Sequence, residues 1–562
     1  ESPDQQAFPR FGTTVGSFPR QPRVVIDGLK SRPDLNGADV DICSFQGGGR
    51  CGVVPRSSTS PGRGSAPISV ASTKLHVSDC AQVPLIEREV VVQDMETQPE
   101  MNGRIGTCGP FRADLGGWLV TLRDDSEGAP MLLKSEFLRD AASGDALSDP
   151  VRVGLKKGIG EGHQALFAGA DFLPGDVIFV ERPQVLVPEQ SDEPGHGCFE
   201  TLAKAAEQFL ALPRRRRKAV LALYRHDRFA LAVEQDGTFS ADRAGFKRMQ
   251  EQVDIGRERV LKELENAGLR ISSADADDVW RFIGIWDCNS YAVGSLQGLF
   301  LYLSRANHSC DPNMCRSELP DDELITVAVK PIAIGDELNP SYLSDWHLME
   351  PTELRRQRLS PWHFHCECTR CAHTEERFRG ARCQIGGCKG MHHRVGGAFC
   401  ACTICNQELS PADQSRLEKA EAKLVERFRG FEERPSSVMQ DDGKGLAAAL
   451  GLAERFFPES HWLVEALHDI SRDFERYRGN LAAARGHAGA VLAFLDLHLP
   501  RPSVRRGLLR LKVVDLERSL GDRMAAFRTC CAALAELASV LHPSHDHCVA
   551  ARESLHACLQ GS

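Results

Sequence analysis

Hydrophobic and polar residues alternate with two different periods along this chain, and the change of period divides it into regions. Up to residue 187 the apolar residues form short runs separated by turn residues, which is typical of β-strands. Residues 198–285 and 408–562 carry apolar residues at helical spacing. Pro411 after Ser410 opens the first C-terminal helix with a cap. The chain is therefore predicted to be a multidomain α+β protein, with strands that include 165–168, 177–180, 185–187, 298–301 and 324–329.

An internal repeat follows a polar arm at residues 1–20. Val24–Ile26 leads to Asn36-Gly37, and Val90–Val92 leads to Asn102-Gly103, with an offset of 66 residues in both cases. Each Asn-Gly pair predicts a tight turn between strands. We expect two SH3-like β-barrels, at 21–80 and 86–142. They serve either as partner-binding modules or as folded spacers, and the pattern favours spacers slightly.

Composition narrows the function classes. The chain has 562 residues, 68 Lys and Arg against 77 Asp and Glu, and a formal net charge of −9. An acidic balance makes direct nucleic-acid binding an unlikely role. No apolar run approaches the ~18 residues of a membrane span, and the first residues lack the pattern of a signal peptide. The compartment stays open, with cytoplasm or nucleus favoured.

The cysteines are concentrated in one region, because ten of the 20 fall between positions 310 and 405. A large chain without a secretory signal favours zinc ligation over disulfides for such pairs. Two zinc ions are predicted. The first site comprises Cys310, Cys366, Cys368 and Cys371. The second comprises Cys383, Cys388, Cys402 and Cys405, with Cys400 or the pair His392-His393 as alternative ligands.

Three motifs follow one another in a distinctive order. Asn307–Asn313 reads NHSCDPN, Gly335–Tyr342 reads GDELNPSY, and Cys366–Cys371 reads CECTRC. Together they resemble SET-domain protein-lysine methyltransferases, and the SET-and-MYND branch is the most similar. The resemblance covers about 151–560. The MYND zinc finger of that branch, which has seven cysteines and one histidine, is absent. Residues 184–287, where it would be inserted, contain a single cysteine, Cys198.

The resemblance implies which residues contact S-adenosylmethionine. Asn307 and His308 correspond to a pair that lies against this cofactor, Asn289 to an upstream contact and Phe364 to an aromatic that covers the adenine. The glycine loop before Leu166 departs from the family pattern, so that it is either a cofactor loop or a plain loop. Its candidate cofactor-binding residues are Gly160, Gly162 and His163.

Tyr342 matches the family's catalytic tyrosine. Its hydroxyl is expected near the transferring methyl group. Trp362 stands where many members have a second tyrosine, which preserves an aromatic wall but loses a hydroxyl. The resemblance implies methyl transfer from S-adenosylmethionine to a lysine of a protein substrate, histone or non-histone. The alternative is an inactive SET-fold scaffold that binds partner proteins.

The resemblance and the periodicity together predict the domain order. The SET domain is expected at 150–348 with a helical insert at 198–285. A zinc-binding post-SET region follows at 349–407, and a tetratricopeptide-like helical array at 408–562. Because no family motif lies in the two N-terminal repeats, they are expected to be separable from the cofactor site.

Overall fold

The structure is a computed structural model that describes residues 23–46, 50–56, 67–78, 88–125, 129–156, 164–188, 197–224, 256–362, 364–499 and 501–560. The predicted arm at 1–20 and most of the loop at 57–67 lie outside these residues. The chain divides into two compact units. One comprises 1–83, 422–454 and 463–562, and the other comprises 84–421 and 455–462.

The first repeat forms an antiparallel sheet in the first unit. Its strand order is β4-β3-β2-β1-β5. Asn36 fixes the turn after β1, because its Oδ1 accepts the backbone N–H of Leu29 at 2.8 Å and its Nδ2 donates to the Leu29 carbonyl. The strands are β1 (Arg23–Ile26), β2 (Asp39–Gln46), β3 (Arg50–Pro55), β4 (Ile68–Ala71) and β5 (Leu75–Ser78).

The second repeat copies this arrangement in the second unit. Asn102 makes the same two hydrogen bonds to Met95, at 2.9 and 3.2 Å. The pairing of Val92 with Leu138 matches that of Ile26 with Leu75. The internal repeat is therefore a structural repeat. Its strands are β6 (Arg88–Val92), β7 (Ile105–Arg112), β8 (Gly117–Leu122), β9 (Met131–Leu133) and β10 (Leu138–Asp140).

The second repeat continues into a larger sheet. Strand β7 pairs in parallel with β13, where the N–H of Ala113 donates to the carbonyl of Val180 at 2.9 Å. Arg112 bonds to Glu323 at 3.0 Å, and both side chains are buried. The second repeat is therefore not separate from the sheet that follows it, which the sequence pattern did not indicate.

The middle of the second unit combines short sheets with a helical insert. Strands β13, β18 and β17 extend the sheet of the second repeat, while β11 pairs with β12 and β14-β16-β15 form a separate sheet. The strands are β11 (Val151–Leu155), β12 (Gln164–Ala168), β13 (Val177–Glu181), β14 (Val185–Pro188), β15 (Ser290–Val293), β16 (Leu296–Leu299), β17 (Met314–Glu318) and β18 (Leu324–Ala328). The helices are α1 (Gly197–Ala211), α2 (Arg214–Leu221), α3 (256–266) and α4 (Ala276–Asn289).

A cysteine-rich region closes the second unit. Short helices α5 (Asp345–Leu348), α6 (Thr352–Leu359) and α7 (Thr369–Ala372) precede a small sheet. That sheet comprises β19 (Glu375–Arg382), β20 (Met391–Val395) and β21 (Ala398–Phe399).

The C-terminal part is helical, as its periodicity predicts. Ser410 caps α8, because its Oγ accepts the N–H of Asp413 at 3.1 Å and donates to the Asp413 carboxylate at 2.7 Å. Among the described residues no helix combines the length and the apolar character needed to cross a membrane. The helices are α8 (Pro411–Glu433), α9 (Ser436–Gln440), α10 (Lys444–Phe456), α11 (Trp462–Tyr477), α12 (Leu481–His498), α13 (Val504–Ser519), α14 (Arg523–Leu537) and α15 (Asp546–Gln560).

Candidate active site and two candidate metal centres

Backbone hydrogen bonds join two of the sequence motifs, Asn307–Asn313 and Gly335–Tyr342. The N–H of Ser309 donates to the carbonyl of Pro340 at 2.9 Å, and that of Asn313 donates to the carbonyl of Asn339 at 3.1 Å. The Asn339 side chain donates to the carbonyl of Asn307 at 3.0 Å. The motifs, which lie some thirty residues apart in sequence, therefore form one rigid centre.

Tyr342 lies at the middle of this centre. Its hydroxyl donates to the carbonyl of Ala306 at 2.8 Å. Its ring lies 5.6 Å from that of Trp362 and 6.1 Å from that of Phe364, both measured between centroids. Burial raises the pKa of Tyr342 well above its usual value, so the hydroxyl stays protonated near neutral pH. The aromatic wall that the sequence predicts is present, with one tyrosine hydroxyl fixed within it.

His308 connects Tyr342 to the cysteines. Its Nδ1 accepts the backbone N–H of Tyr342 at 2.9 Å, and its Nε2 lies 3.2 Å from Sγ of Cys310. Burial lowers the pKa of His308 to about 4. A neutral ring whose Nδ1 accepts a hydrogen bond must carry its proton on Nε2, which therefore donates to the Cys310 sulfur. The ring centroid also lies 6.0 Å from that of Phe364.

The two candidate cofactor asparagines have defined partners. Nδ2 of Asn307 donates to Oε1 of Glu337 at 2.8 Å, and Lys156 donates to the same oxygen at 2.9 Å. Nδ2 of Asn289 donates to the carbonyls of Tyr224 and Ile285, each at 2.7 Å. Both amide nitrogens thus bond to the protein, and among the described residues no donor is found for the Oδ1 of either asparagine. The structure brings Asn307, His308, Tyr342 and Phe364 together.

The first cysteine cluster assembles the residues that spacing predicted. The sulfurs of Cys310, Cys366, Cys368 and Cys371 lie within 4.8 Å of one another. Cys310 lies 3.5 Å from Cys371 and 4.0 Å from Cys366, measured between sulfurs. Tetrahedral zinc with Zn–S bonds of ~2.3 Å requires sulfurs ~3.8 Å apart. This cluster therefore has the dimensions of a zinc site.

Three arginines surround this cluster, and sequence reasoning missed all of them. Arg355 is buried and donates to Sγ of Cys371 at 3.3 Å. Arg370 donates to the carbonyl of Cys310 at 3.1 Å, and Arg356 to that of Cys366 at 3.1 Å. Four thiolates carry two more negative charges than one Zn²⁺ neutralises, and the guanidinium groups offset that excess. Arg355 and Arg356 lie four and five residues after Pro351, and Arg370 lies between Thr369 and Cys371. Neither sequence is a pattern that predicts an arginine beside a metal site.

The second cluster comprises the four predicted cysteines and none of the alternatives. The sulfurs of Cys383, Cys388, Cys402 and Cys405 lie within 4.8 Å of one another, with both Cys383–Cys405 and Cys388–Cys402 at 3.7 Å. Cys400 is exposed and lies outside the cluster. The imidazole of His392 bonds to the Cys400 carbonyl instead of facing the sulfurs.

The backbone at Gly390 lies close to the sulfur atoms of the second cluster. A Cβ at this position would lie 2.3 Å from the sulfur of Cys402. The N–H of Gly390 points to the Cys388 sulfur at 3.4 Å, and that of Ile404 to the Cys402 sulfur at 3.5 Å. Such N–H groups stabilise thiolates, which are the form that binds zinc.

Glu181 holds the turn at residues 302–303, which leads into the motif that begins at Asn307. Sequence reasoning did not identify this residue. Its side chain is fully buried, and its two oxygens accept the N–H groups of Tyr302 and Leu303 at 2.8 and 3.0 Å. Burial raises the pKa of Glu181 to about 7. The carboxyl group fixes the turn that leads into Asn307. The predicted loop residues Gly160, Gly162 and His163 lie outside the described residues.

A comparison with known protein families identifies the domain in which this centre lies. The SET domain family matches residues 164–343. This range contains the joined motifs around Tyr342 and ends one residue beyond that tyrosine. The chain therefore contains a SET domain, as its motifs predict.

Curated relatives match parts of the chain. Histone-lysine N-methyltransferase set5 of Schizosaccharomyces pombe is 32% identical over 120 residues, 21% of this chain and 37% of the relative. Histone-lysine N-methyltransferase SMYD3 of Homo sapiens is 37% identical over 90 residues, 15% of this chain and 20% of the relative. Histone-lysine N-methyltransferase ASHR1 of Arabidopsis thaliana is 25% identical over 290 residues, 41% of this chain and 58% of the relative. The chain thus spans less than two thirds of the length of each of these relatives.

Proposed function

We propose that this protein transfers a methyl group from S-adenosylmethionine to the side-chain amine of a lysine in a protein substrate. The observation that carries the proposal is Tyr342, whose hydroxyl is fixed on the Ala306 carbonyl within an aromatic wall inside the SET domain. The names of the relatives support lysine as the acceptor, and histones as one class of substrate.

The residues present fit the cofactor by the chemistry of their acceptors. S-Adenosylmethionine carries ammonium and adenine-amine donors, and the Oδ1 atoms of Asn307 and Asn289 remain as acceptors. Phe364 supplies an aromatic face beside the neutral His308 ring. We assign these four residues to cofactor binding, with Gly160, Gly162 and His163 as further contacts from the preceding loop. When bound, the cofactor supplies an electrophilic methyl group.

The protein's own residues orient the amine and exclude water. Tyr342 holds its hydroxyl at one place, because the hydroxyl donates a hydrogen bond to the Ala306 carbonyl. Trp362 and Phe364 form walls that position the alkyl chain of the lysine, whose ammonium group has by then lost a proton to give the neutral amine. No general base is assigned to a side chain, since the amine loses its proton to solvent before it is enclosed.

We assign one zinc ion to each cysteine cluster. The sulfur separations fit tetrahedral coordination, and the surrounding N–H and guanidinium groups fit thiolates. The first ion holds the Cys310 loop against the segment that carries Phe364. These residues thus position the cofactor walls without taking part in the transfer.

The remaining regions are assigned to partner proteins. We propose that the two repeats are SH3-like modules and that α8–α15 form a tetratricopeptide-like array, because paired helices of this kind stack into scaffolds.

An inactive scaffold is the alternative, and Trp362 is the residue that favours it, because the wall lacks a second hydroxyl. Titration of zinc-loaded protein with S-adenosylmethionine by calorimetry separates the two. We expect saturable binding, with affinity lost in Asn307→Ala and kept in Asn266→Ala, an exposed asparagine of helix α3. Absence of binding by the zinc-loaded parent would favour the scaffold.

A further inference from the structure

A recess in the first repeat is lined by cations. It has a volume of ≈ 430 Å³ and runs between the loop after β1 and strand β4. Its cationic lining residues are Lys30, Arg32, Arg50 and Lys74. Leu35 and Ile68 add apolar walls beside them. The volume is within the range of ordinary ligand pockets.

Three of these cations have no acidic partner among the residues that the structure describes. Arg32 pairs with Asp34 at 2.7 Å, whereas no carboxylate of the described residues lies within 4 Å of the charged groups of Lys30, Arg50 and Lys74. Elsewhere in the same repeat the arginines are paired, since Arg56 bonds to Asp41 at 2.5 Å. The unpaired positive charge is therefore concentrated in the recess.

Arg50 is held in a fixed orientation. Its Nε donates to Oγ of Ser69 at 2.9 Å and its Nη2 to the Ser69 carbonyl at 2.7 Å. Ser69 in turn donates to the side chain of Gln46 at 2.6 Å. A guanidinium fixed in this way loses little conformational entropy when it binds a carboxylate.

The amine of Lys74 lies beside the backbone of Gly28, which has no side chain. Gly28 has a positive φ of 68°, and a Cβ there would lie 3.0 Å from the Lys74 amine. Asp94 has the matching position in the second repeat, also with a positive φ, of 59°. Because Gly28 has no side chain, it leaves space for the Lys74 amine. A larger residue at this position would restrict that space.

The second repeat shows that the fold does not need these cations. The two copies align strand by strand, because Ile26–Leu75 matches Val92–Leu138. In the second copy the four cationic positions hold Glu96, Gln98, Gly117 and Phe137. The same scaffold therefore forms without any of the four charges, so their presence in one copy indicates binding rather than folding.

The edge of the sheet indicates the form of the ligand. Strand β4 is an edge strand, and all four of its residues, Ile68–Ala71, line the recess. A pocket on one face would be lined by alternate residues, so this recess follows the backbone edge. An edge strand offers unpaired N–H and C=O groups to an extended peptide.

We propose that the recess of the first repeat binds an extended acidic peptide segment of a partner protein, which lies along β4 and places carboxylates on Lys30, Arg50 and Lys74. The apolar walls suit aliphatic side chains between the carboxylates. A chain with a net charge of −9 repels a long polyanion such as nucleic acid, whereas a local cationic recess accepts a short acidic segment. The site is separate from methyl transfer and does not depend on it.

Fluorescence anisotropy of the full chain tests the proposal. The probe is a labelled peptide that alternates glutamate with valine, and the comparison probes are a lysine–valine peptide and a single-stranded oligonucleotide. We expect saturable binding of the acidic peptide only, weakened by salt. Tighter binding of the oligonucleotide, or no binding of the acidic peptide, would overturn the assignment.

Variants taken from the second repeat localise the binding. Lys30→Glu combined with Lys74→Phe restores the residues of that copy, and we expect about a ten-fold or greater loss of affinity. Lys134→Glu, an exposed cation of the second repeat, is the control and should bind like the parent. If the double variant melts early, Lys30→Glu alone replaces it, because Lys30 is exposed. Equal affinity of parent and folded variant would refute the site.

Discussion

The backbone N–H of Tyr342 donates to Nδ1 of His308, and Nε2 of the same ring lies 3.2 Å from the sulfur of Cys310. One imidazole therefore connects the tyrosine of the proposed transfer site to the first cysteine cluster. Loss of the proposed zinc ion from that cluster would release Cys310 and so remove the restraint on His308. The metal is thus expected to stabilise the cofactor site from outside it.

Replacement of one ligand tests this connection. Cys366→Ser should lower the zinc content from two ions per chain to one and weaken S-adenosylmethionine binding, because three thiolates hold zinc poorly. Elemental analysis and calorimetry measure the two effects. Cys400→Ser, at an exposed cysteine outside both clusters, is the control and should keep both ions. Two tightly held zinc ions in the Cys366 variant would contradict the ligand assignment.

Removal of one hydroxyl tests the role of Tyr342. Tyr342→Phe keeps the ring among Trp362 and Phe364 but loses the hydrogen bond to the Ala306 carbonyl. An orienting contact of this kind contributes ~2–4 kcal/mol in the transition state, so the methylation rate should fall about 30- to 1000-fold. Cofactor affinity should change little, because its proposed contacts come from Asn307, His308 and Asn289. An unchanged rate would remove Tyr342 from the mechanism.

The pH dependence of the rate should reflect the substrate and not Tyr342. Burial raises the pKa of Tyr342 well above its usual value of ~10, so its hydroxyl remains a donor throughout the alkaline range. Lysine amines lose their proton as the pH approaches ~10. The kcat/KM of the parent should therefore rise from pH 7 to pH 9.5 without a descending limb. A fall near pH 8 that Tyr342→Phe abolishes would show that the tyrosine ionises.

A buried carboxylate of helix α8 should stabilise the packing of that helix against strands β19 and β20. Glu421 accepts a hydrogen bond from Arg379 at 2.6 Å and lies 3.3 Å from Arg394. The pKa of Glu421 is about 2, because the hydrogen bond from Arg379 and the nearby His461 imidazole, 3.7 Å away, together outweigh the cost of burial. A lowered carboxyl pKa stabilises the fold above the unfolded value of ~4.3 and loses that contribution as the pH falls towards 2.

Glu421→Gln should therefore cost about 3 kcal/mol of unfolding free energy at pH 7, since the partly buried Arg379 and Arg394 lose their buried partner. The difference from the parent should narrow below pH 4.5. Chemical denaturation measures both quantities. Glu418→Gln, three residues earlier in α8 at a partly exposed carboxylate near Arg394, should cost less than about 1 kcal/mol. Equal losses for the two variants would refute the role of burial.

The junction between the second repeat and the SET sheet should also contribute to stability. Arg112→Met leaves Glu323 with Arg182 alone, so the unfolding free energy should fall by about 2 kcal/mol. Arg104→Met breaks the exposed pair with Asp124 and should cost no more than about 1 kcal/mol. Denaturation of both variants decides whether the buried pair matters. A smaller loss for Arg112→Met than for Arg104→Met would contradict the junction.

The sequence predicted the structural features that depend on residues close to one another in the chain. The helices from Pro411 onward follow from apolar spacing and from the Ser410 cap. The second cysteine cluster and three ligands of the first follow from short ligand spacings, whereas Cys310 lies 56 residues before Cys366 and depends on the fold. The aromatic neighbours of Tyr342 follow from the family motifs. These features need few contacts between distant parts of the chain.

Contacts between distant residues could not be predicted in the same way. The parallel pairing of β7 with β13 joins residues 112 and 180, and neither strand carries a signal for its partner. Glu181 is similar, because its carboxylate bonds to backbone N–H groups over 120 residues away. Backbone acceptors and donors have no side-chain signature, so only the folded chain shows such a contact.

Methyl transfer itself is the most direct test of the proposed function. Zinc-loaded protein, incubated with methyl-labelled S-adenosylmethionine and a cell extract, should place label in protein, and mass spectrometry should identify methyl-lysine as the product. Tyr342→Phe should give at least about 30-fold less label under the same conditions. Absence of label from the parent, while it binds S-adenosylmethionine, or label on residues other than lysine, would contradict the account.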